Sequence, residues 1–255
     1  MSPVGPPCVI LTRRRTGAGD IYKLLGNHMP WPRRGNEPFL WTRSMGEVSR
    51  MFHQGQPELA EEQLDAELSL GVFFKHQLET ESWPFNTVLL RQLEAHRYRV
   101  IHIDRESEDE RLFSMVVANH FSTWAQEGIE SLRDHLRRSE PAPKVDLERV
   151  RSLVHEEAGY RRWIDEQMPK YRLERLAMSY EAFFRNGLKA LPLADELFAF
   201  AGLGARASIL DDASLLRFIF KGEHYTLGLM EYSADLRGVH QLIQAELAAA
   251  AERGA

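Results

Sequence analysis

Four short runs of β-branched and aromatic residues, separated by long charged stretches with helical spacing, constrain this chain most: Val9–Thr12, Gly71–Lys75, Tyr98–Asp104 and Leu176–Tyr180. Strands this far apart in sequence need crossover connections, and helical crossovers generate parallel sheets covered on both faces. The helical stretches are Glu58–Glu67, Pro84–His96, Ser107–Glu127, Asp146–Met168 and Leu242–Arg253. Pro84 suits a first helical turn and Asp146 an N-cap. The expectation is an α/β fold: a central, mostly parallel sheet flanked by helices in three layers. A single domain is expected over residues 1–255, with a helical C-terminal part from about residue 185. Ser139-Glu140-Pro141-Ala142-Pro143 reads as an inter-helix loop.

In open parallel sheets, ligands gather at the carboxyl ends of the strands. The first run, Cys8–Thr12, leads into Arg13-Arg14-Arg15-Thr16-Gly17-Ala18-Gly19 and then into Asp20–Leu25, which has helical apolar spacing. Backbone N–H groups at such a helix start hold anions, and arginines fork onto phosphate oxygens. The loop lacks the Lys-Ser or Lys-Thr of an ATP-type phosphate loop and the spacing of G-x-G-x-x-G. Taken alone, it is explained equally well as a tight basic turn. Lys75, His76 and Gln77 end or follow the second run, Arg105 follows the third, and Tyr180 and Glu181 close the fourth. Three strand ends thus deliver basic groups to one edge, which packing does not require. That convergence argues for a phosphate-bearing ligand.

Charge supports a small anion over a polyanion. The net charge is −5, which speaks against a general nucleic-acid binder, while Arg13, Arg14 and Arg15 and then Arg33 and Arg34 concentrate positive charge locally. The single cysteine, Cys8, lies in an apolar run and reads as a core residue, so no intrachain disulfide or cysteine metal site arises. The ten histidines include no H-x-x-x-H pair, so no metal is expected. No run approaches the ~20 apolar residues of a membrane span. The N-terminal residues 1–7 lack the charged and apolar regions of a secretory signal, so the expected location is cytoplasmic.

Four blocks, in order, resemble the sulfotransferases that use 3′-phosphoadenosine 5′-phosphosulfate (PAPS), in particular the bacterial carbohydrate- and lipid-type branch. Thr12–Gly19 is similar to the loop that holds the 5′-phosphosulfate, T-x-P-R-S-G-S-T, with Arg15, Thr16 and Gly17 matching its R-[ST]-G core. Arg14 stands where that loop has proline, and Ala18 and Gly19 where it has hydroxyl residues. Gly35-Asn36-Glu37-Pro38-Phe39 is similar to a segment whose acidic residue serves as general base. Gly71–Leu78 resembles the family's G-x-K strand, which puts Lys75 and His76 on the acceptor side. Val100–Arg105 followed by Ser114 resembles the 3′-phosphate site, where a strand-end arginine and a helix serine pair with that group. Ala177–Phe183 is similar to a late Y-E-D-L segment, and Lys221-Gly222 to a late R-K-G loop. The resemblance spans residues from about 8 to 184.

The resemblance implies sulfuryl transfer from PAPS to an acceptor hydroxyl, with PAP as product and no metal. Arg13, Arg14, Arg15, Thr16, Gly17, Ala18 and Gly19 would hold the 5′ end of the donor, and Arg105, Ser114, Lys221 and Gly222 its 3′-phosphate. Glu37 would be the base, with His76 the alternative, and Lys75 and Arg15 would stabilise charge. Such transfer is mostly positioning and electrostatics. The stretch His28–Phe52 carries Met29, Trp31, Phe39, Trp41, Met45, Met51 and Phe52 among arginines. It lines an acceptor pocket or packs under a long loop, and its arginines hint at an anionic acceptor. A small molecule, a carbohydrate or a lipid all suit this reading, as does a homo-oligomer. Besides a structural interaction module, which the convergent basic strand ends speak against, two other readings stay open. One is a nucleotide-binding protein on a sulfotransferase scaffold, non-catalytic or altered in specificity. The other is a nucleotide-dependent kinase.

Overall fold

The structure, a computed structural model, describes residues 5–123, 126–138, 144–221 and 226–254. It is α/β, with a five-stranded, all-parallel central sheet flanked by helices. The strands are β1 (Cys8–Thr12), β2 (Arg33–Asn36), β3 (Phe73–Gln77), β4 (Arg99–Asp104) and β5 (Glu174–Ser179), in the order β2-β3-β1-β4-β5. The helices are α1 (Ala18–Gly26), α2 (Gly46–His53), α3 (Pro57–Ser69), α4 (Trp83–Ala95), α5 (Glu108–Phe121) and α6 (Gln126–Arg137). They continue with α7 (Leu147–Gln167), α8 (Tyr180–Phe184), α9 (Ala190–Phe200), α10 (Asp212–Lys221) and α11 (Ala234–Gly254).

The chain divides into two compact units: residues 1–106 with 163–222, and residues 107–162 with 223–255. The first holds the sheet. Its strand residues alternate between two cores, as a pleat with both faces covered demands. Cys8, Ile10, Phe73, Ile101, Ile103, Leu176 and Met178 pack with α1, α8, α9 and α10. Val9, Leu11, Val72, Phe74 and Val100 pack with α2, α3, α4 and the end of α7. β1 is fully buried and central, paired in register with β3 (Thr12 opposite Gln77) and with β4 (Thr12 opposite Ile103). The chain leaves β1 for one side of the sheet and later returns to the other. The carboxyl end of β1 is therefore a topological switch point. The second unit is helical, its core built from α5, α6, α11 and the earlier part of α7.

Several expected boundaries shift for local reasons. The helix expected over Ser107–Glu127 ends at Phe121, because Ser122 turns left-handed (φ 55°) and caps it, and α6 starts afresh at Gln126. Asp146 does cap α7, its Oδ1 accepting from the N–H groups of Glu148 (3.0 Å) and Arg149 (3.2 Å). Tyr180 opens α8 rather than closing β5, because the Ser179 side chain accepts from Ala182 N and caps that helix. The final helix reaches back to Ala234. The loop expected over residues 139–143 lies outside the described residues. No helix among those described is long and apolar enough to cross a membrane.

Candidate functional site

The loop from β1 into α1 is built from within. The Thr12 hydroxyl donates to the Ile103 carbonyl of β4 (2.8 Å), and Thr16 Oγ1 lies 2.5 Å from Thr12 Oγ1 and 3.0 Å from the Arg13 carbonyl. Both threonines are buried, so Thr16 closes the turn rather than offering its hydroxyl outward. Arg15 and Gly17 take left-handed conformations (φ 66° and 74°), alternating with residues of negative φ. Alternation of this kind gathers N–H groups into a concavity that accepts anions. Gly17 caps α1 with no side chain on its first N–H groups. A Cβ on Gly17 would stand 2.6 Å from Phe184 Cε2 and 2.8 Å from Tyr180 Cδ2, whereas one on Gly19 would meet nothing within 4 Å.

The three successive arginines take different roles. Arg13 is fully buried with its guanidinium on Asp104 Oδ1 (Nε 3.1 Å, Nη2 2.7 Å), so it braces β1 against β4 and is not placed as a donor ligand. Arg14 turns to the buried Glu79, which accepts from its backbone N–H and lies 3.7 Å from its Nε. Arg13 and Arg14 thus each meet a carboxylate, the one from β4 and the other following β3. Arg15 remains at the concavity. Burial first, and then the Arg105 charge, press its pKa down, so two guanidiniums share one region at the carboxyl ends of β1 and β4. Arg105 is itself buried, with its guanidinium over the Tyr180 ring (4.6 Å) and its Nε 3.4 Å from Glu181 Oε1. Arg185 also lies over Tyr180 (5.6 Å). Asp20, which faces this region from α1, pairs with Lys23 at 3.2 Å and partly offsets the charge on Arg15.

At the carboxyl ends of β2 and β3, Glu37, Lys75 and His76 come together and are all buried. Lys75 Nζ donates to Glu37 Oε1, and the Gln77 N–H donates to Glu37 Oε2 (2.7 Å). The expected open carboxylate is therefore engaged at both oxygens. Glu37 itself sits at φ 55°, a strained position fixed by these bonds and by its N–H on the Lys75 carbonyl (2.8 Å). Asn86 Nδ2 donates to the Leu78 (2.6 Å) and Glu81 (3.2 Å) carbonyls, so its Oδ1 accepts from His76 Nε2–H (2.9 Å). His76 Nδ1 then carries the lone pair, 4.0 Å from Glu37 Oε2 and without a hydrogen bond. Burial lowers the His76 pKa and keeps the ring neutral. Phe39 and Phe85 close around it edge-on.

Beside this cluster lies an open cavity of about 580 Å³, lined by Leu40, Trp41, Thr42, His53, Thr80 and Glu81. Of the aromatic and methionine residues expected to line an acceptor pocket, Trp31, Phe39 and Met45 are buried in the cores, and only Trp41 lines the cavity, 62% exposed. Of the arginines in that stretch, Arg34 pairs with Glu67 (2.9 Å) and Arg50 with Glu47.

Ser114 is buried on α5 in the second unit. Lys221 ends α10 with its side chain outside what is described, and Gly222 is outside the described residues. Asp104, Glu79, His53 and Glu81 are not legible at this end of the sheet from sequence, because each meets a partner distant in sequence. Comparison of the chain with family models, with curated proteins and with solved structures finds no match in any of the three.

Proposed function

We propose that this protein is a sulfotransferase, moving a sulfuryl group from PAPS to an acceptor hydroxyl. The convergence of Arg15 and Arg105 at the switch point, beside a left-handed turn of backbone N–H groups, carries the reading. Two guanidiniums in one region, with Glu181 and Asp20 only partly balancing them, suit a multiply charged phosphate ester. The loop lacks the lysine that an ATP-type site uses on the outer phosphates, which favours PAPS over ATP. The acceptor oxygen attacks sulfur in line with the departing phosphate. Arg15 and the loop N–H groups take up charge on that phosphate, and Lys75, held by Glu37, faces the same end of the sheet. Arg105 binds the nucleotide.

One observation favours a second reading. Arg13 and Arg14 are committed to Asp104 and Glu79, leaving the loop with less charge for the donor than its sequence offers. A nucleotide-binding protein that does not turn over PAPS would carry such a loop.

Calorimetric titration with PAP, against ADP and ATP, tests both readings. Binding that requires the 3′-phosphate is expected, with losses of about 10- to 100-fold in Arg105→Ala and Arg15→Ala, the worth of a hydrogen bond to a charged group. A folded protein that ignores PAP overturns the proposal. Binding of PAP with no consumption of PAPS moves the second reading to the front.

A further inference from the structure

The cavity holds a carboxylate–imidazole pair that the reading above does not use. Glu81 is buried, and its two oxygens are assigned: Oε1 accepts from Ser49 Oγ (2.8 Å) and Oε2 meets His53 Nε2 (2.9 Å). A carboxylate can only accept, so Nε2 carries the ring proton and Nδ1 carries the lone pair. His53 ends α2 with its side chain 39% exposed, and Nδ1 makes no hydrogen bond among the described residues. Glu47 and Arg50 of the same helix pair with each other, which leaves Glu81 as the charged group in contact with His53. Glu37 and His76 compare poorly as bases: the former is engaged at both oxygens and the latter fully buried, and neither lines the cavity.

We infer that this cavity is the acceptor site and that His53, oriented by Glu81 and Ser49, takes the acceptor's proton. The inference rests on the sulfuryl-transfer reading. The acceptor it selects is a neutral hydroxyl compound bearing a ring. Trp41 supplies a flat exposed face for the ring, and Thr42 and Thr80 complete the lining beside His53 and Glu81. No lysine or arginine lines the cavity, and the Glu81 carboxylate disfavours an anion. The volume, about 580 Å³, suits a small molecule. In the step itself, the acceptor oxygen forms a bond to sulfur. The bond from sulfur to the phosphate oxygen breaks, and its electron pair leaves with PAP. The hydroxyl proton passes to His53 Nδ1, and the resulting imidazolium rests on Glu81 until it loses that proton to water.

The full chain carries the test, with phenyl β-D-glucopyranoside as probe. Long-range proton–nitrogen NMR at about pH 8, above the ordinary imidazole range, should show His53 protonated at Nε2, and Glu81→Gln should move that proton toward Nδ1. A wild-type Nδ1–H ring, or a tautomer that Glu81→Gln leaves alone, overturns the inference. Without donor, the glucoside should quench tryptophan fluorescence saturably, and Trp41→Ala should weaken binding about tenfold. No saturable binding by the folded protein overturns the cavity assignment. With PAPS, His53→Gln should cut turnover by about 100-fold or more with KM for the glucoside and PAP binding unchanged. Unchanged turnover in that variant overturns the role of His53. A protein that binds the glucoside and shows the tautomer, yet ignores PAP, loses the sulfuryl-transfer reading and keeps the cavity.

Discussion

Arginine is the residue type on which the site turns, and identical neighbours in sequence end in different chemistry. Arg13 points into the sheet and meets Asp104, 91 positions away, while Arg15, at a left-handed position, lies near Arg105 at the strand ends. Histidine shows the same division. His76 is fully buried and neutral, its ring fixed by Asn86, whereas His53 is part-exposed with a carboxylate behind it. The burial of His76 makes stability depend on pH. Its folded pKa lies below that of the unfolded chain, so the unfolded state binds the extra proton first as pH falls. The stabilisation is present above an ordinary imidazole pKa of about 6.5 and is lost as pH drops from there toward the folded value. His102, lowered by burial too, adds to the same trend. Urea unfolding at a series of pH values should therefore show stability falling on the acid side. His76→Gln should reduce that slope by up to about 1.4 kcal/mol per pH unit. An unaltered slope would show that His76 is charged in the folded protein.

Elements place these residues, and their ends matter more than their middles. All five strands run parallel, so every carboxyl end lies on the same edge of the sheet, and residues spread over positions 13 to 181 gather there. α8 is short, but its Tyr180 and Phe184 press on the backbone of the first loop so closely that only glycine fits at position 17. Gly17→Ala should thus displace the loop, weaken PAP binding by tenfold or more and cost about 1–3 kcal/mol of stability. Gly19→Ala, which meets open space, should leave both within error. Calorimetry and urea unfolding on the pair make the comparison, and equal effects from the two variants would mean that α8 does not hold the loop. β2 escaped the sequence reading for a physical reason. Arg-Arg-Gly-Asn has no apolar alternation, and the segment is a strand only because β3 offers it one free edge, with an irregular register between Arg33 and Gly35.

For the molecule as a whole, the two units are held by different means. The first is a three-layer sandwich with two apolar cores, and the second is a set of helices with a charged group inside. Arg111 on α5 is fully buried, bridging Glu108 (2.8 Å) and the equally buried Glu157 on α7 (2.8 Å). Removing one partner of a buried pair leaves the other as a desolvated charge. Arg111→Ala should lower stability by about 3–5 kcal/mol, read from the urea midpoint, and a change within error would show that water replaces the guanidinium. The pairing has no sequence signature, because an arginine amid Glu108, Asp109 and Glu110 reads as a solvated helix face. The α/β class, the parallel sheet and four of its five strands were set by sequence alone. Apolar runs of strand length with helical crossovers admit few other folds, and a parallel sheet fixes which end its loops share. Which charged groups pair with which across the fold was decided only by tertiary structure. A buried charge is defined by its partner, and Asp104, Glu79, Glu81 and Glu157 each reach theirs from a distant part of the chain.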